Sequence, residues 1–198
     1  MAMTQQAEKP AYLGLLNAIS VGESHAGVYL EAWADATPDE DLACTLRFVA
    51  ARETSHGDVF CRRIAELGHT LQPKRDSEAA ARLAKFADPA ISDLEKIGPE
   101  REAQDFFSEI KKAMAAGDYD PMTCNLMEWY IAEEEDSGRR LRDAYACVRE
   151  KAAGGRRAKT NDAAGNGVSG DADAMMACMT QGFGRLEKSI EKLAKAMK

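Results

Sequence analysis

Apolar residues recur at three- and four-residue steps along most of the chain, whereas β-branched runs with period-two alternation are nearly absent. A stripe of that period buries one face of a helix and cannot bury one face of a strand, so the pattern confines the fold to packed helices. Residues 12 to 35 carry the stripe Leu16, Ile19, Glu23, Ala26, Leu30 and Trp33. A second helix is expected over residues 38 to 67, on Leu42, Leu46, Val49, Glu53, His56, Phe60 and Leu67. Thr37 should cap it, with Pro38 at the first position and Glu40 at the third, and Gly68 should end it. A third helix is expected over 99 to 116 (Ala103, Phe107, Ile110, Met114). A fourth is expected over 121 to 152 (Met127, Tyr130, Glu134, Ser137, Leu141, Ala144, Val148). The stretch from 69 to 98, with helical pieces near 78 to 87 and 90 to 97, is too long to join neighbouring antiparallel helices and reads as a crossover.

Past the fourth helix the composition changes. Residues 153–173 are rich in Gly, Ala, Asn, Asp and Ser without large apolar side chains, the composition of a flexible linker. Residues 174–198 regain helical spacing through Phe183, Leu186, Ile190, Leu193 and Met197, with Arg185, Lys188, Lys192, Lys195 and Lys198 between them. The expected organisation is therefore a helical domain over 1–152, a linker, and a C-terminal amphipathic helix that pairs with a second copy of the chain or a protein partner. The formal net charge of −7 sets the chain as a whole against nucleic-acid phosphate. No stretch has the length of apolar residues that a spanning helix needs, and residues 1 to 10 do not read as a secretory signal. Five cysteines with no C-x-x-C pair argue against a disulfide framework or a zinc ribbon, so buried free thiols and a cytoplasmic location are expected.

The informative residues are the ionisable ones inside the apolar stripes. A carboxylate on a buried helix face has to be neutralised, paired or bound to a cation. Glu23, Glu53 and Glu134 occupy such positions. Glu53 and His56 stand three apart between Val49 and Phe60, so both project from one core-forming face, as an E-x-x-H pair that can close on one metal ion or on each other. Glu23 lies about 14 residues before Thr37 and Glu53 about 16 after it, which at a common rise brings them nearly level in an antiparallel hairpin. Glu53-Thr54-Ser55-His56 is also echoed by Glu134-Glu135-Asp136-Ser137.

With Gly22-Glu23-Ser24-His25-Ala26, the E-x-x-H helix, a crossover, a third helix and the acidic run Ala132-Glu133-Glu134-Glu135, residues 12 to 152 resemble the ferritin-like superfamily, closest to rubrerythrin-type bundles. The resemblance implies an all-α, ferritin-like four-helix bundle with a long connection between its second and third helices. It implies a di-iron or di-manganese carboxylate centre and redox chemistry on peroxide, ferrous iron or dioxygen, as an iron-dependent oxidoreductase or peroxidase. Carried over residue by residue, Glu23 is a terminal ligand, Glu53 and Glu134 bridge, and His56 supplies the imidazole.

The second half of that pattern departs from the family. Ser137 stands where the second E-x-x-H has its histidine, and the Glu23-to-Glu53 spacing applied backward from Glu134 reaches Gln104, flanked by Glu102 and Asp105. Three outcomes follow: a mononuclear site on Glu23, Glu53, His56 and Glu134; a dinuclear one that adds Glu102 or Asp105; or an emptied site holding no metal. In an emptied site His25, Arg52 or Arg139 would have to compensate the buried acids, and the chain would be a non-catalytic helical scaffold or interaction protein. Tyr29, Trp33, Trp129 and Tyr130 read as core aromatics. The G-x-G-x-x-G match at Gly165 to Gly170 lies in the linker with no strand before it, and carries no dinucleotide reading.

Overall fold

The computed structural model describes residues 9–73, 76–99 and 107–159, and every regular element among them is helical. Three long helices, α1 (Leu13–Ala36), α2 (Glu40–Glu66) and α6 (Pro121–Lys159), make up most of the described chain. Three short ones, α3 (Ala79–Ala87), α4 (Asp93–Ile97) and α5 (Ser108–Ala116), lie between α2 and α6. None is long and apolar enough to cross a membrane.

The α1–α2 turn differs from expectation in its cap. Thr37 is extended (ψ 137°) and closes α1, as the residue before a proline is pushed out of the helical region. Its hydroxyl accepts from the Asp39 N–H and donates to Asp93, and the Asp39 carboxylate then caps α2 by accepting from the Leu42 N–H. Beyond that turn α1 and α2 pack closely at two glycines. A Cβ on Gly27 would come within 2.4 Å of Thr54 Oγ1 and 3.0 Å of the Ala50 carbonyl. One on Gly57 would come within 2.3 Å of Ser24 Oγ and 3.1 Å of the Ser20 carbonyl. These two contacts flank Glu23 and Glu53 and let the helices approach at their level.

Helix α6 runs antiparallel to α2, with Arg63 near Asp120 at one end and Asp39 near Lys151 at the other. The apolar interior falls into two clusters. One holds Leu15, Leu16, Ile19, Phe60, Ile64, Ile110, Met127 and Tyr130; the other holds Leu30, Trp33, Leu42, Leu46, Val49, Phe86 and Leu141. On each long helix buried ionisable residues lie between the clusters: Glu23 on α1, Glu53 and His56 on α2, Glu134 on α6. The crossover closes the second cluster, where Phe86 and Tyr145 stack on Trp33 and Asp93 accepts from the indole N–H.

Several expectations need correction. Helix α6 continues through residues 153 to 159, where a linker was expected to begin. Once nucleated, a helix gains a hydrogen bond with each added residue, and Gly154 and Gly155 oppose it by only about 1 kcal/mol each. Trp129 is 37% exposed rather than a core residue. Cys44 and Cys147 are exposed rather than buried, because they sit off the apolar stripes, and Cys61 and Cys124 are partly covered; all four are free thiols. Glu102, Gln104, Asp105, Cys178 and the expected C-terminal helix lie outside the described residues.

Candidate metal centre

Each side chain of the central layer is placed by its own helix. Glu23 follows Ile19 by one turn on α1, Glu53 and His56 follow Val49 on α2, and Glu134 follows Tyr130 on α6, so the faces that bury the apolar clusters also bury these acids. Glu23, Glu53, His56 and Glu134 are 7%, 1%, 0% and 5% exposed. One ligand atom from each lies within 4.8 Å of those of the other three, an arrangement that could hold a cation.

The hydrogen bonding around this layer is uneven. The Tyr130 hydroxyl donates to Glu23 Oε1 at 2.6 Å, and the ring is fully buried. His56 Nε2 lies 3.0 Å from Glu133 Oε2. A carboxylate can only accept, so in the neutral imidazole the proton belongs on Nε2, which leaves the Nδ1 lone pair turned to the cluster. There Nδ1 comes within 3.1 Å of Glu134 Oε1, but the two are misaligned and neither has a hydrogen-bond partner. Both oxygens of Glu53 are likewise buried without a partner. Trp129 and Tyr130 stand edge-on to the imidazole at 5.0 and 5.1 Å and fix its plane.

Three carboxylates in a dry layer resist ionisation. Burial pushes Glu53 well above the ordinary carboxylate range, and the adjacent Glu23 and Glu134 add to the rise. Glu134 is pushed up to about 7 by burial and by Glu23, against the pull of His56 and Arg52. At His56 burial lowers the pKa, but Glu134, Glu133 and Glu23 outweigh it and the net shift is upward. Burial and the neighbouring carboxylates raise Tyr130 far above a free phenol, so it remains a proton donor to Glu23 at neutral pH.

No family model matches the chain, and no curated protein or solved structure matches it.

Of the residues named as compensating groups for an emptied site, only Arg52 is at hand. His25 packs beside Tyr29, and Arg139 pairs with Asp136 on the surface of α6. Arg52 contacts Asp136, Ser137 and both the carbonyl and the carboxylate of Glu133, not the orphaned oxygens. Ser137 is fully buried, on the same face of α6 as Glu134. Sequence reasoning missed Glu133 as the partner of His56. It lies in the acidic run already singled out, and its signal was the register: Glu133 precedes Glu134 by one residue, at the edge of the buried stripe. The Tyr130 contact was legible only as a buried aromatic one turn before Glu134.

Proposed function

We propose that Glu23, Glu53, His56 and Glu134 hold one divalent cation, iron or manganese, in a ferritin-like four-helix protein of rubrerythrin type. Peroxide, ferrous iron or dioxygen is its redox substrate. The observation that carries this reading is the set of buried donor atoms without partners: both oxygens of Glu53, Oε1 of Glu134 and Nδ1 of His56. Such atoms in a protein core cost several kcal/mol unless something satisfies them, and a divalent ion held by Glu23, Glu53, His56 and Glu134 would do so. Carboxylate oxygens with a single imidazole, and no thiolate in the cluster among the described residues, form a donor set suited to manganese or iron in the divalent state.

A bound iron or manganese ion would supply one-electron redox capacity, which none of these four side chains has. The remaining work belongs to the chain. Glu133 holds the His56 ring with Nδ1 free, the role a carboxylate behind a metal-bound histidine plays. Tyr130 orients Glu23 and keeps a proton beside it. Phe60, stacked edge-on to Tyr130, helps keep water from that side of the layer. The proton that Glu134 retains at neutral pH leaves when the ion binds.

Elemental analysis of protein purified without chelator, followed by anaerobic titration with ferrous iron and with manganese, tests this reading. About one ion per chain is expected, with affinity falling by at least about 100-fold in Glu53→Ala. An iron-loaded sample should consume peroxide and the Glu53→Ala protein should not. Failure to take up either metal under any loading condition would sink the proposal and leave the scaffold reading.

A further inference from the structure

The seam between α2 and α6 carries exposed apolar surface along its length. At the Asp39–Lys151 end it opens into a groove of about 530 Å³, formed by Leu42, Cys44 and Phe48 of α2 with Ala144 and Cys147 of α6, a size at which clefts take a ligand. Phe48 is 42% exposed and lies against the Arg140 guanidinium of α6 at 4.7 Å. Farther along the seam the exposed Trp129 stands edge-on to His56 of α2. Cys44 and Cys147 are exposed free thiols, one from each helix. The rim is acidic in balance. Lys151 donates to Asp39 and stays 4.0 Å from Asp41, and Arg140 donates to Asp136, which leaves Asp41 and Asp143 for cations from outside.

The chain itself supplies an occupant of matching length, spacing and charge. From Leu42 to His56 the seam is 14 residues of α2 long, and the apolar stripe from Phe183 to Met197 is also 14 residues long, both about 21 Å at the rise of a helix. Residues 174–198 carry five basic side chains against two acidic ones, in a chain whose formal net charge is −7, so the rest of the chain attracts them. The tether fits too. Helix α6 ends at Lys159, eight residues or about 12 Å past Lys151 at the mouth of the groove, and the 14 residues 160–173 reach about 20 Å as a random coil. A segment on so short a tether meets its own groove at roughly millimolar effective concentration, ahead of any second copy in dilute solution. We propose that residues 174–198 dock on the α2–α6 seam of their own chain. The segment enters beside Lys151 and runs parallel to α2 towards Trp129, with Phe183, Leu186, Ile190, Leu193 and Met197 turned into the seam and Arg185 and Lys188 beside Asp41 and Asp143. Docked there, it covers Phe48 and both thiols.

Those thiols report on the docking in the full chain. N-ethylmaleimide labelling, followed peptide by peptide by mass spectrometry, should be slow at Cys44 and Cys147 in the wild type and at least about 10-fold faster in Ile190→Asp/Leu193→Asp, with Cys61 and Cys124 unchanged. Equal rates at Cys44 and Cys147 in the two proteins would overturn the proposal. Protection should not vary with protein concentration; protection that appears only as the concentration rises would give the groove to a second copy and overturn it as well. A second readout needs no substitution. Cys178 lies five residues before Phe183, about 7 Å along a helix, so a bis-maleimide of about 10 Å should link it to Cys147 or Cys44 within one chain. No such link, or links from Cys178 only to Cys61, Cys124 or another chain, would place the segment elsewhere and end the proposal.

Discussion

Asp120, just before α6, and Glu53, midway along α2, are both acids at contacts between long helices, and the chain treats them in opposite ways. Asp120 collects donors on both oxygens. Tyr12 and the Thr123 hydroxyl donate to Oδ2 at 2.5 and 2.6 Å, and Arg63 and the N–H groups of Met122 and Thr123 donate to Oδ1 at 2.7, 3.0 and 3.1 Å. Burial works against its ionisation, but these bonds win and hold its carboxyl far below the ordinary range. Glu53 is more deeply buried, collects no donor, and is pushed the other way. An acid used to tie helices together is saturated by the fold. One left bare among other acids resists ionisation, and on the reading proposed above a cation answers it.

Among single substitutions, the largest effect on unfolding is expected at Asp120. Replacing it by Ala removes the cap of α6 and leaves Arg63 only Glu66 and Thr123, so stability should fall by about 2 kcal/mol in urea unfolding, with metal stoichiometry unchanged. A loss of metal binding in the folded variant would mean that the two regions are not independent.

Asp120 and the acids of the central layer also predict opposite pH dependence. Asp120 has a lowered pKa, so the stability it contributes is present above about pH 4 and disappears on further acidification. Glu134 rises from 4.5 to about 7, so the folded chain binds more protons than the unfolded one across that interval, and stability falls as the pH climbs through it. His56, also raised, adds to the loss in the same direction above its ordinary value of 6.5. Chelator-treated protein should lose roughly 2 to 3 kcal/mol between about pH 5 and pH 8. Manganese, which binds the deprotonated ligands, should restore it most at the alkaline end. A metal-free protein more stable at pH 8 than at pH 5 would contradict the bare-acid account.

The smallest effect is expected at Glu133. Glu133→Gln keeps the length of the side chain but weakens the hold on His56 Nε2, and manganese affinity should drop about 10- to 100-fold with little change in unfolding. Unchanged affinity would show that the imidazole is held by Trp129 and Tyr130 alone.

Much of this was legible from the chain itself. Helix type, the extents of α1 and α2, and the three inward acids and the imidazole follow from periodicity, because a side chain's face on a helix is fixed by its position in sequence. The end of α6 was not legible, since the glycines that look like a linker cost too little to stop a long helix. The exposure of Trp129, Cys44 and Cys147 was misjudged because residue type carries less information than helical phase.

Sequence by itself determined that several rods would form and which side of each would seek the interior. Tertiary structure decided which donors reach which acids. Whether a carboxylate ends up bonded five times, like Asp120, or not at all, like Glu53, depends on distances of a few tenths of an ångström between residues tens of positions apart. Those distances are set only when the helices pack, at Gly27 and Gly57 among other places, and no local pattern encodes them.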